Sequence, residues 1–176
     1  MAGDRTRSEY LLRRLRMPGA TTGLESRPSV RPVRTDDREA LARLLLAGYR
    51  GTIDDEGEGP AEALAAIDEY FSRIEWEHSV VLEQAGEPVS MACVVVVAGR
   101  HYIDPVVTAA TAKGRGLGTS AVHAALVSLA TAGVSEVGAV ITDGNTASER
   151  LFASLGFERV GPWPVRPGPD QAAPRA

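Results

Sequence analysis

The sequence predicts one domain of the α+β class, and three observations support this. The chain has 176 residues, which is close to the usual size of one domain. Hydrophobic residues make up 44% of it, enough for one core that needs no disulfides or metal ions. The hydrophobic periodicity then follows the order β-αα-βββ-α-β-α-β, which differs from the regular alternation of a parallel α/β protein.

The first part of the core, up to residue 108, is predicted to hold two helices and four short strands. Thr35 or Asp36 can cap the first helix, whose apolar residues recur at helical spacing as far as Tyr49. The loop GTIDDEGEGP leads into the second helix. Ala85-Gly86-Glu87 separates two β-branched segments and indicates a hairpin turn. The predicted strands are 30–33, 79–84, 88–98 and 102–108, and the second helix is 61–76.

The rest of the core is predicted to alternate helix and strand. Gly133 ends one helix, and Thr146 with Glu149 has the spacing of a capping box that begins another. The predicted elements are a helix at 117–131, a strand at 134–142, a helix at 146–155 and a strand at 157–160. Gly156 ends the last helix.

Both ends of the chain are predicted to lie outside the core, which spans residues 29–163. Residues 1–28 contain one short amphipathic stretch, which is interrupted by Pro18 and Gly19. We interpret them as a flexible N-terminal extension, with docking onto a partner subunit of a homodimer as the alternative. Residues 164–176 are rich in proline and glycine, and we interpret them as a flexible C-terminal tail.

Composition excludes several classes of protein. The net charge of -4 argues against nucleic acid as the main partner. Cys93 is the only cysteine, so we expect no disulfide framework, no cysteine-rich zinc site and no bound metal. The longest apolar run, residues 91–98, is far shorter than the ~18 residues of a membrane span, so we expect no membrane partner. Without a recognisable secretory signal, a cytoplasmic location is expected.

The most informative segment is residues 111–119, TAKGRGLGT, between a strand and a helix. Three glycines at alternate positions allow backbone N–H groups to approach a ligand, and the following helix adds its free N-terminal donors. Such a loop suits a pyrophosphate, and Lys113 and Arg115 can add charge-assisted contacts. The lysine precedes the glycines, which excludes a Walker loop, and the glycine spacing differs from a dinucleotide fingerprint. A simple tight turn remains the alternative.

This segment resembles the signature of the GNAT superfamily of N-acetyltransferases, Arg/Gln-x-x-Gly-x-Gly/Ala at the start of a helix. The match here is Lys113-Gly114-Arg115-Gly116-Leu117-Gly118. Further along, Asn145, Ala147, Leu151-Phe152 and Leu155-Gly156-Phe157 resemble a second family motif. With the segment VRPVRTDDREALARLL, the resemblance covers about residues 29–161.

The resemblance implies the GNAT fold, with a mixed sheet of six or seven strands, splayed at the centre, and helices on both faces. It also implies acetyl-CoA as co-substrate, with the pyrophosphate on the backbone of residues 115–119 and the pantetheine arm along residues 106–108. The implied cofactor-binding residues are Val106, Val107, Thr108, Lys113, Gly114, Arg115, Gly116, Leu117, Gly118, Thr119, Asn145 and Phe152.

Two positions depart from the family pattern. Lys113 stands where Arg or Gln is usual, and it still offers a cation and three donors. Phe152 stands where many members have a tyrosine that protonates the departing thiolate. A phenyl ring donates no proton, but a thiolate with a pKa of about 8.5 leaves readily without an acid.

Asp104 is the candidate general base, with Tyr102 behind it on the strand that enters the cleft. Simple alternation places Asp104 on the same face as Val106 and Thr108, unless a bulge shifts it. The alternative is a solvated aspartate at the end of a strand.

Asp54, Asp55 and Glu56 are the candidate acceptor-binding residues, because the loop that carries them forms a wall of the acceptor site in the resembling family. An acidic rim would attract a cationic acceptor. A solvated surface loop is the alternative.

The predicted function is therefore acetyl-CoA-dependent transfer of an acetyl group to a primary amine of a small molecule, peptide or protein. The alternative is a non-catalytic acyl-CoA-binding module that senses the cofactor or docks a partner, which the phenylalanine at position 152 favours. Loops set acceptor specificity in such a fold, so the shared motif does not identify the amine.

Overall fold

The computed structural model describes residues 5–15 and 28–163. Within these ranges, seven strands form one mixed sheet in the order β2-β3-β4-β5-β6-β1-β7, and four α-helices pack on it. The strands are β1 (Arg7–Arg13), β2 (Ser29–Pro32), β3 (Val80–Gln84), β4 (Glu87–Val97), β5 (Arg100–Thr108), β6 (Glu136–Thr142) and β7 (Glu158–Pro162). The helices are α1 (Arg38–Tyr49), α2 (Pro60–Phe71), α3 (Leu117–Thr131) and α4 (Thr146–Ser154). The predicted α+β class is confirmed.

The predicted order of elements from β2 to β7 is confirmed, and two of the local differences have a structural reason. Helix α2 ends at Phe71 rather than Trp76, because the chain turns so that Ile74 can bury its side chain and bridge Val95 of β4. The cap of α4 is Asn145 rather than Thr146, since the Asn145 side-chain oxygen accepts a hydrogen bond from the backbone of Ser148.

Residues 7–13 are part of the core, which corrects the prediction of a flexible extension for this part of residues 1–28; residues 1–4 and 16–27 lie outside the described residues. Strand β1 lies inside the sheet and pairs antiparallel with β6 on one side and β7 on the other. Tyr10 and Leu11 are only 7% and 5% exposed. An inner strand is covered on both faces, so its apolar run shows no alternation and periodicity alone does not separate it from a helix. The predicted C-terminal tail, 164–176, lies outside the described residues.

Helices cover both faces of the sheet, as the resemblance implied. On one face, α3 and α4 pack on a core that includes Val94, Ile103 and Leu126. On the other face, α1 and α2 pack on a core that includes Leu41 and Ile67. We call these the α3 face and the α1 face.

Strands β5 and β6 are parallel and diverge along their length. They pair only where His101–Ile103 lie beside Val137–Ala139. Beyond this point β5 continues to Thr108 against β4, while β6 continues to Thr142 against β1. The sheet is therefore splayed at its centre, and a cleft opens toward the carboxyl ends of the two strands.

The role of β1 leads to a prediction for stability. Leu11→Ala should lower the free energy of unfolding by about 2–5 kcal/mol, the usual cost of removing a buried leucine side chain. Arg13→Ala, at an exposed position of the same strand, should change it by less than about 0.5 kcal/mol. Urea unfolding followed by circular dichroism measures both. Equal midpoints for Leu11→Ala and the unmodified protein would mean that β1 does not form in solution.

Candidate functional site

A cavity of about 890 Å³ occupies the cleft between β5 and β6. Its walls come from both sheet faces. The end of α1, one side of α2 and the loop between these helices lie on one side, and the start of α3 and the length of α4 lie on the other. We call residues 50–59 the acidic loop. The cavity therefore joins the predicted phosphate loop to the predicted acceptor wall.

The glycine-rich turn forms the start of α3 and opens into this cavity. Gly114 and Gly116 have φ values of 76° and 75°, in the left-handed region that glycine adopts without strain. Gly116 is the N-cap of α3, so the first N–H groups of that helix have no intrahelical partner. These groups and the positive end of the helix dipole suit an anion. The cavity lining at this turn is Lys113, Gly114, Gly116, Leu117, Gly118 and Thr119.

Gly118 has a packing role that the sequence did not reveal. A Cβ atom there would lie 3.0 Å from the Leu151 side chain and 3.1 Å from the Thr108 hydroxyl. The absence of a side chain lets the start of α3 approach both β5 and α4. Substitution of Gly118 would therefore disturb packing as well as any ligand site.

The two cations of the turn differ in position. The Lys113 ammonium lines the cavity and donates a hydrogen bond of 2.6 Å to the backbone carbonyl of Gly48, near the end of α1. The Arg115 side chain is exposed and does not belong to the described lining of the cavity. Of the two, the structure brings only Lys113 to the site, and there it also ties the turn to α1.

Val106, Val107 and Thr108 of β5 form one wall of the cleft. The hydroxyl of Thr108 hydrogen-bonds to that of Ser90 at 2.9 Å, which fixes the end of this wall on β4. Since β6 has already diverged, this part of β5 has a neighbouring strand on one edge only. The open edge can pair with an extended ligand.

Asn145 lines the opposite wall, and both the oxygen and the nitrogen of its side chain form hydrogen bonds. Its oxygen caps α4, and its Nδ2 donates to Asp54 at 2.7 Å. The second oxygen of Asp54 accepts from the hydroxyl of Thr142, also at 2.7 Å. Asp54 therefore fastens the acidic loop to the end of β6 and the start of α4.

The three predicted acceptor-binding residues differ in their position relative to the cavity. Asp54 and Glu56 line the cavity, whereas Asp55 turns into its own loop and accepts hydrogen bonds from the backbone of Gly51 and Gly57. These two hydrogen bonds lower the pKa of Asp55. Asp55 therefore shapes the loop rather than the cavity wall.

Asp104 lines the cavity, but its side chain lies on the α1 face of the sheet. Simple alternation along β5 predicted the face that Val106 and Thr108 share, which is the α3 face. Asp104 and Pro105 together lie opposite Cys93 alone, so β5 carries a bulge. Ile103 and Val106 consequently both contribute to the α3 face. The expectation that Asp104 shares a face with Val106 and Thr108 is wrong, because the extra residue turns it toward the α1 face.

Two tyrosines near Asp104 complete this end of the cavity. Burial raises the pKa of Tyr49 well above its usual value. Electrostatic interactions with Tyr70, Asp104 and Asp54 raise this pKa further, whereas the charge of Arg7 lowers it. Burial also raises the pKa of Tyr70, with Asp104 adding to the effect. Both phenols therefore stay protonated at neutral pH. Sequence periodicity had assigned these residues only to the apolar faces of the helices.

Tyr102 does not accompany Asp104, which corrects the predicted pairing of the two in the site. Its hydroxyl donates to Glu9 at 2.6 Å, and its ring packs on Trp163 with centroids 5.1 Å apart. Tyr102 lies beside Gly138, where β5 and β6 are still paired, and is outside the described cavity lining. The signal that was missing is Glu9, because β1 was not recognised as a strand.

The family assignment follows from a sequence match that contains these elements. The acetyltransferase (GNAT) family model matches residues 39–157, from α1 to the residue before β7. This chain belongs to the GNAT acetyltransferase family. The resemblance in the glycine-rich turn is thereby confirmed. No curated protein matches the chain in sequence.

Solved structures share the fold at low sequence identity. A GCN5-related N-acetyltransferase from Sphaerobacter thermophilus has a TM-score of 0.70 and 17% identity, over 90% of this chain and 49% of that one. A ribosomal-protein alanine N-acetyltransferase from Escherichia coli has a TM-score of 0.60 and 18% identity, over 74% and 77%. AAC(6')-Iy, solved in complex with the bisubstrate analogue CoA-S-monomethyl-acetylneamine, has a TM-score of 0.55 and 17% identity, over 74% of this chain and 90% of that one. This chain thus spans about half of the Sphaerobacter protein.

Phe152 occupies the family's second motif and lines the cavity from α4. It is 4% exposed, and its ring packs edge-on against Phe157 with centroids 4.9 Å apart. This part of the GNAT site is therefore an apolar wall.

Among residues 5–15 and 28–163, no group of three or more His, Cys, Asp or Glu side chains could hold a metal ion. No helix in these ranges is long and apolar enough to cross a membrane.

Proposed function

We propose that this GNAT protein is an N-acetyltransferase that moves the acetyl group of acetyl-CoA to a primary amine. One observation carries the proposal: the free N-terminal donors of α3 and the open edge of β5 meet in the cleft between β5 and β6. The first suits a pyrophosphate and the second suits an extended amide-containing arm. The similarity to AAC(6')-Iy, solved with a CoA-linked analogue, supports the same cofactor class.

The residues of the cleft fit this co-substrate. The backbone of Gly116 to Thr119 would hold the pyrophosphate, with Lys113 and Gly114 beside it. Val106 to Thr108 would pair with the pantetheine arm. The side-chain NH2 group of Asn145, which donates to Asp54, would donate its second hydrogen to this arm.

Asp104 is proposed as the general base that takes a proton from the acceptor ammonium, directly or through a water molecule. The neutral amine nitrogen then forms a bond to the thioester carbonyl carbon, and the carbon–sulfur bond breaks with its electron pair on the thiolate. The nitrogen, now bonded to the acetyl carbon, gives its remaining extra proton to solvent water, which leaves a neutral amide. Asp104 lines the cavity together with the partly buried tyrosines Tyr49 and Tyr70, and this position supports the role. Phe152 provides no acid, so the thiolate leaves unprotonated or takes its proton from water.

The alternative function, a non-catalytic acyl-CoA-binding module, is favoured by the apolar wall at Phe152. Release of free thiol from acetyl-CoA with a panel of primary amines supports the enzyme, whereas binding without turnover on any amine supports the module.

Burial, with a smaller contribution from Asp104, raises the pKa of Cys93 to about 12. In the folded protein Cys93 should therefore not react in a thiol assay, which would then report CoA alone.

The cofactor site can be tested with a new charge at the start of α3. Thr119→Glu should weaken acetyl-CoA binding by about 100-fold, because its carboxylate would repel the pyrophosphate where two like charges lie close together in the cavity. The fold should persist, since an acidic residue is favourable in the first turn of a helix. Calorimetric titration with acetyl-CoA measures the affinity.

Ser120→Glu is the matched control, because Ser120 is the next residue, is exposed and lies outside the described cavity lining. Its affinity should stay within about twofold of the unmodified protein. Equal affinities for the two variants would remove the start of α3 from the cofactor site.

The proposed base can be tested with Asp104→Asn. At neutral pH kcat should fall by about 10²-fold or more, the usual contribution of a positioned base, with acetyl-CoA affinity unchanged. The deficit should shrink as pH rises toward the pKa of the acceptor amine, because the amine then needs no base. Asp36→Asn, an exposed aspartate before α1, is the control. A neutral-pH kcat within threefold of the unmodified protein would exclude Asp104 as the base.

A further inference from the structure

Cationic side chains line the cavity at four positions of the described chain: Arg5, Arg7, Lys113 and Arg150. Two of them form hydrogen bonds to backbone carbonyls of neighbouring segments. Arg5 donates to the backbone carbonyl of Asp55 at 3.0 Å, and Lys113 to that of Gly48 at 2.6 Å. Among the described residues, neither the Arg7 nor the Arg150 guanidinium has a hydrogen bond or ion pair. Arg150 belongs to α4 on the cofactor side, so Arg7 is the cation available to an acceptor.

The backbone of Arg7 is held on both sides. It lies opposite Thr142 of β6, at the carboxyl end of the strand that borders the cleft. On the other side, its carbonyl accepts a hydrogen bond from the backbone of Trp163 at 2.8 Å. A side chain that leaves such a fixed point reaches a restricted region, and here that region is the cavity.

Strand geometry places Arg7 on the acceptor side. Ser8 points to the α3 face, where its hydroxyl donates to Asp143 at 2.6 Å. Its neighbours in the strand, Arg7 and Glu9, therefore share the α1 face. Glu9 accepts from Tyr102 on that face, and the charge of Arg7 acts on Tyr49 at the end of α1. Arg7 and Asp104 consequently border the same end of the cavity.

Four of the carboxylates that line the cavity bind other groups, and none of these four pairs with Arg7. Asp54 accepts from Thr142 and Asn145, and Glu56 pairs with Arg5 at 3.5 Å. Glu58 accepts from the backbone of Glu56 at 2.9 Å, and Glu62 accepts from that of Gly59 at 3.0 Å. These carboxylates thus fix the acidic loop and connect it to Arg5, β6 and the starts of α2 and α4. A guanidinium without such a partner is suited to a planar oxyanion, which it binds through two parallel hydrogen bonds.

We propose that Arg7 binds a carboxylate of the acceptor, so that the acceptor is an amine that also carries a carboxylate, such as an amino acid. This inference rests on the proposed function and adds the substrate class. The amine faces Asp104, and the carboxylate faces Arg7. Apolar and aromatic side chains of the same cavity, including Leu45, Ala63 and Tyr70, suit a hydrocarbon or aromatic group of the acceptor.

The test compares the twenty common amino acids with their carboxamides as ligands of the CoA-loaded protein. Each carboxamide keeps the amine and the side chain but replaces the carboxylate by a neutral group. Thermal shift identifies the amino acids that bind, and calorimetry then measures each acid–amide pair. At least one amino acid should bind about 10-fold or more tightly than its carboxamide.

Arg7→Gln should abolish this preference by weakening binding of the amino acid, with binding of the carboxamide and of CoA unchanged. Arg13→Gln makes the same change at the other end of β1, away from the cavity, and should keep the preference. Carboxamides that bind as well as the acids in every pair would overturn the proposal and favour a purely cationic acceptor. So would an Arg7→Gln variant that keeps the preference.

Binding and turnover separate this proposal from the proposed function. A carboxylate preference that depends on Arg7, without thiol release on any amine, would retain the Arg7 site and reject the acetyltransferase. Thiol release on amines with no carboxylate preference would retain the enzyme and reject the Arg7 site.

Discussion

The divergence of β5 and β6 is the constraint on which the rest of the structure depends. A strand edge inside a sheet exposes N–H and C=O groups that need partners, so two strands separate only where each is supported from its other side. Strand β4 supports β5 up to Thr108, and β1 supports β6 along its whole length. The cleft is therefore a stable feature of the sheet, and the start of α3 and the end of α1 reach its two walls.

Strand β1 connects the stability of the sheet with the chemistry of the cleft. By pairing with both β6 and β7 it makes an N-terminal segment an inner strand of the sheet. The same strand brings Arg7 to the cavity and Arg5 to the acidic loop. Asp54 then joins that loop to the cofactor side through Thr142 and Asn145. The acceptor wall and the cofactor wall are thus linked by direct hydrogen bonds, and movement of one affects the other.

Local signals in the sequence predicted most of the fold and the start of α3. Helical spacing, hairpin turns and alternating glycines depend on neighbouring residues, so they are visible in one sequence. The place of β1 depends on pairing with β6, which lies more than 120 residues further along the chain. The bulge at Asp104 depends on the register with β4, and it reverses the face that simple alternation assigns. Tyr102 was misjudged for a related reason, since its partner Glu9 lies on β1. The acidic loop looked like a free charged rim because sequence does not show hydrogen bonds such as those that turn Asp55 inward.

We propose that the divergent strands and the start of α3 form one acyl-CoA site, and a crystal structure of the protein with CoA would test this. Pyrophosphate oxygens should lie within hydrogen-bond distance of backbone nitrogens in residues 116–119, and the pantetheine arm should lie alongside Val106 to Thr108. A CoA molecule bound outside the cleft, or one whose phosphates make no contact with the start of α3, would contradict it.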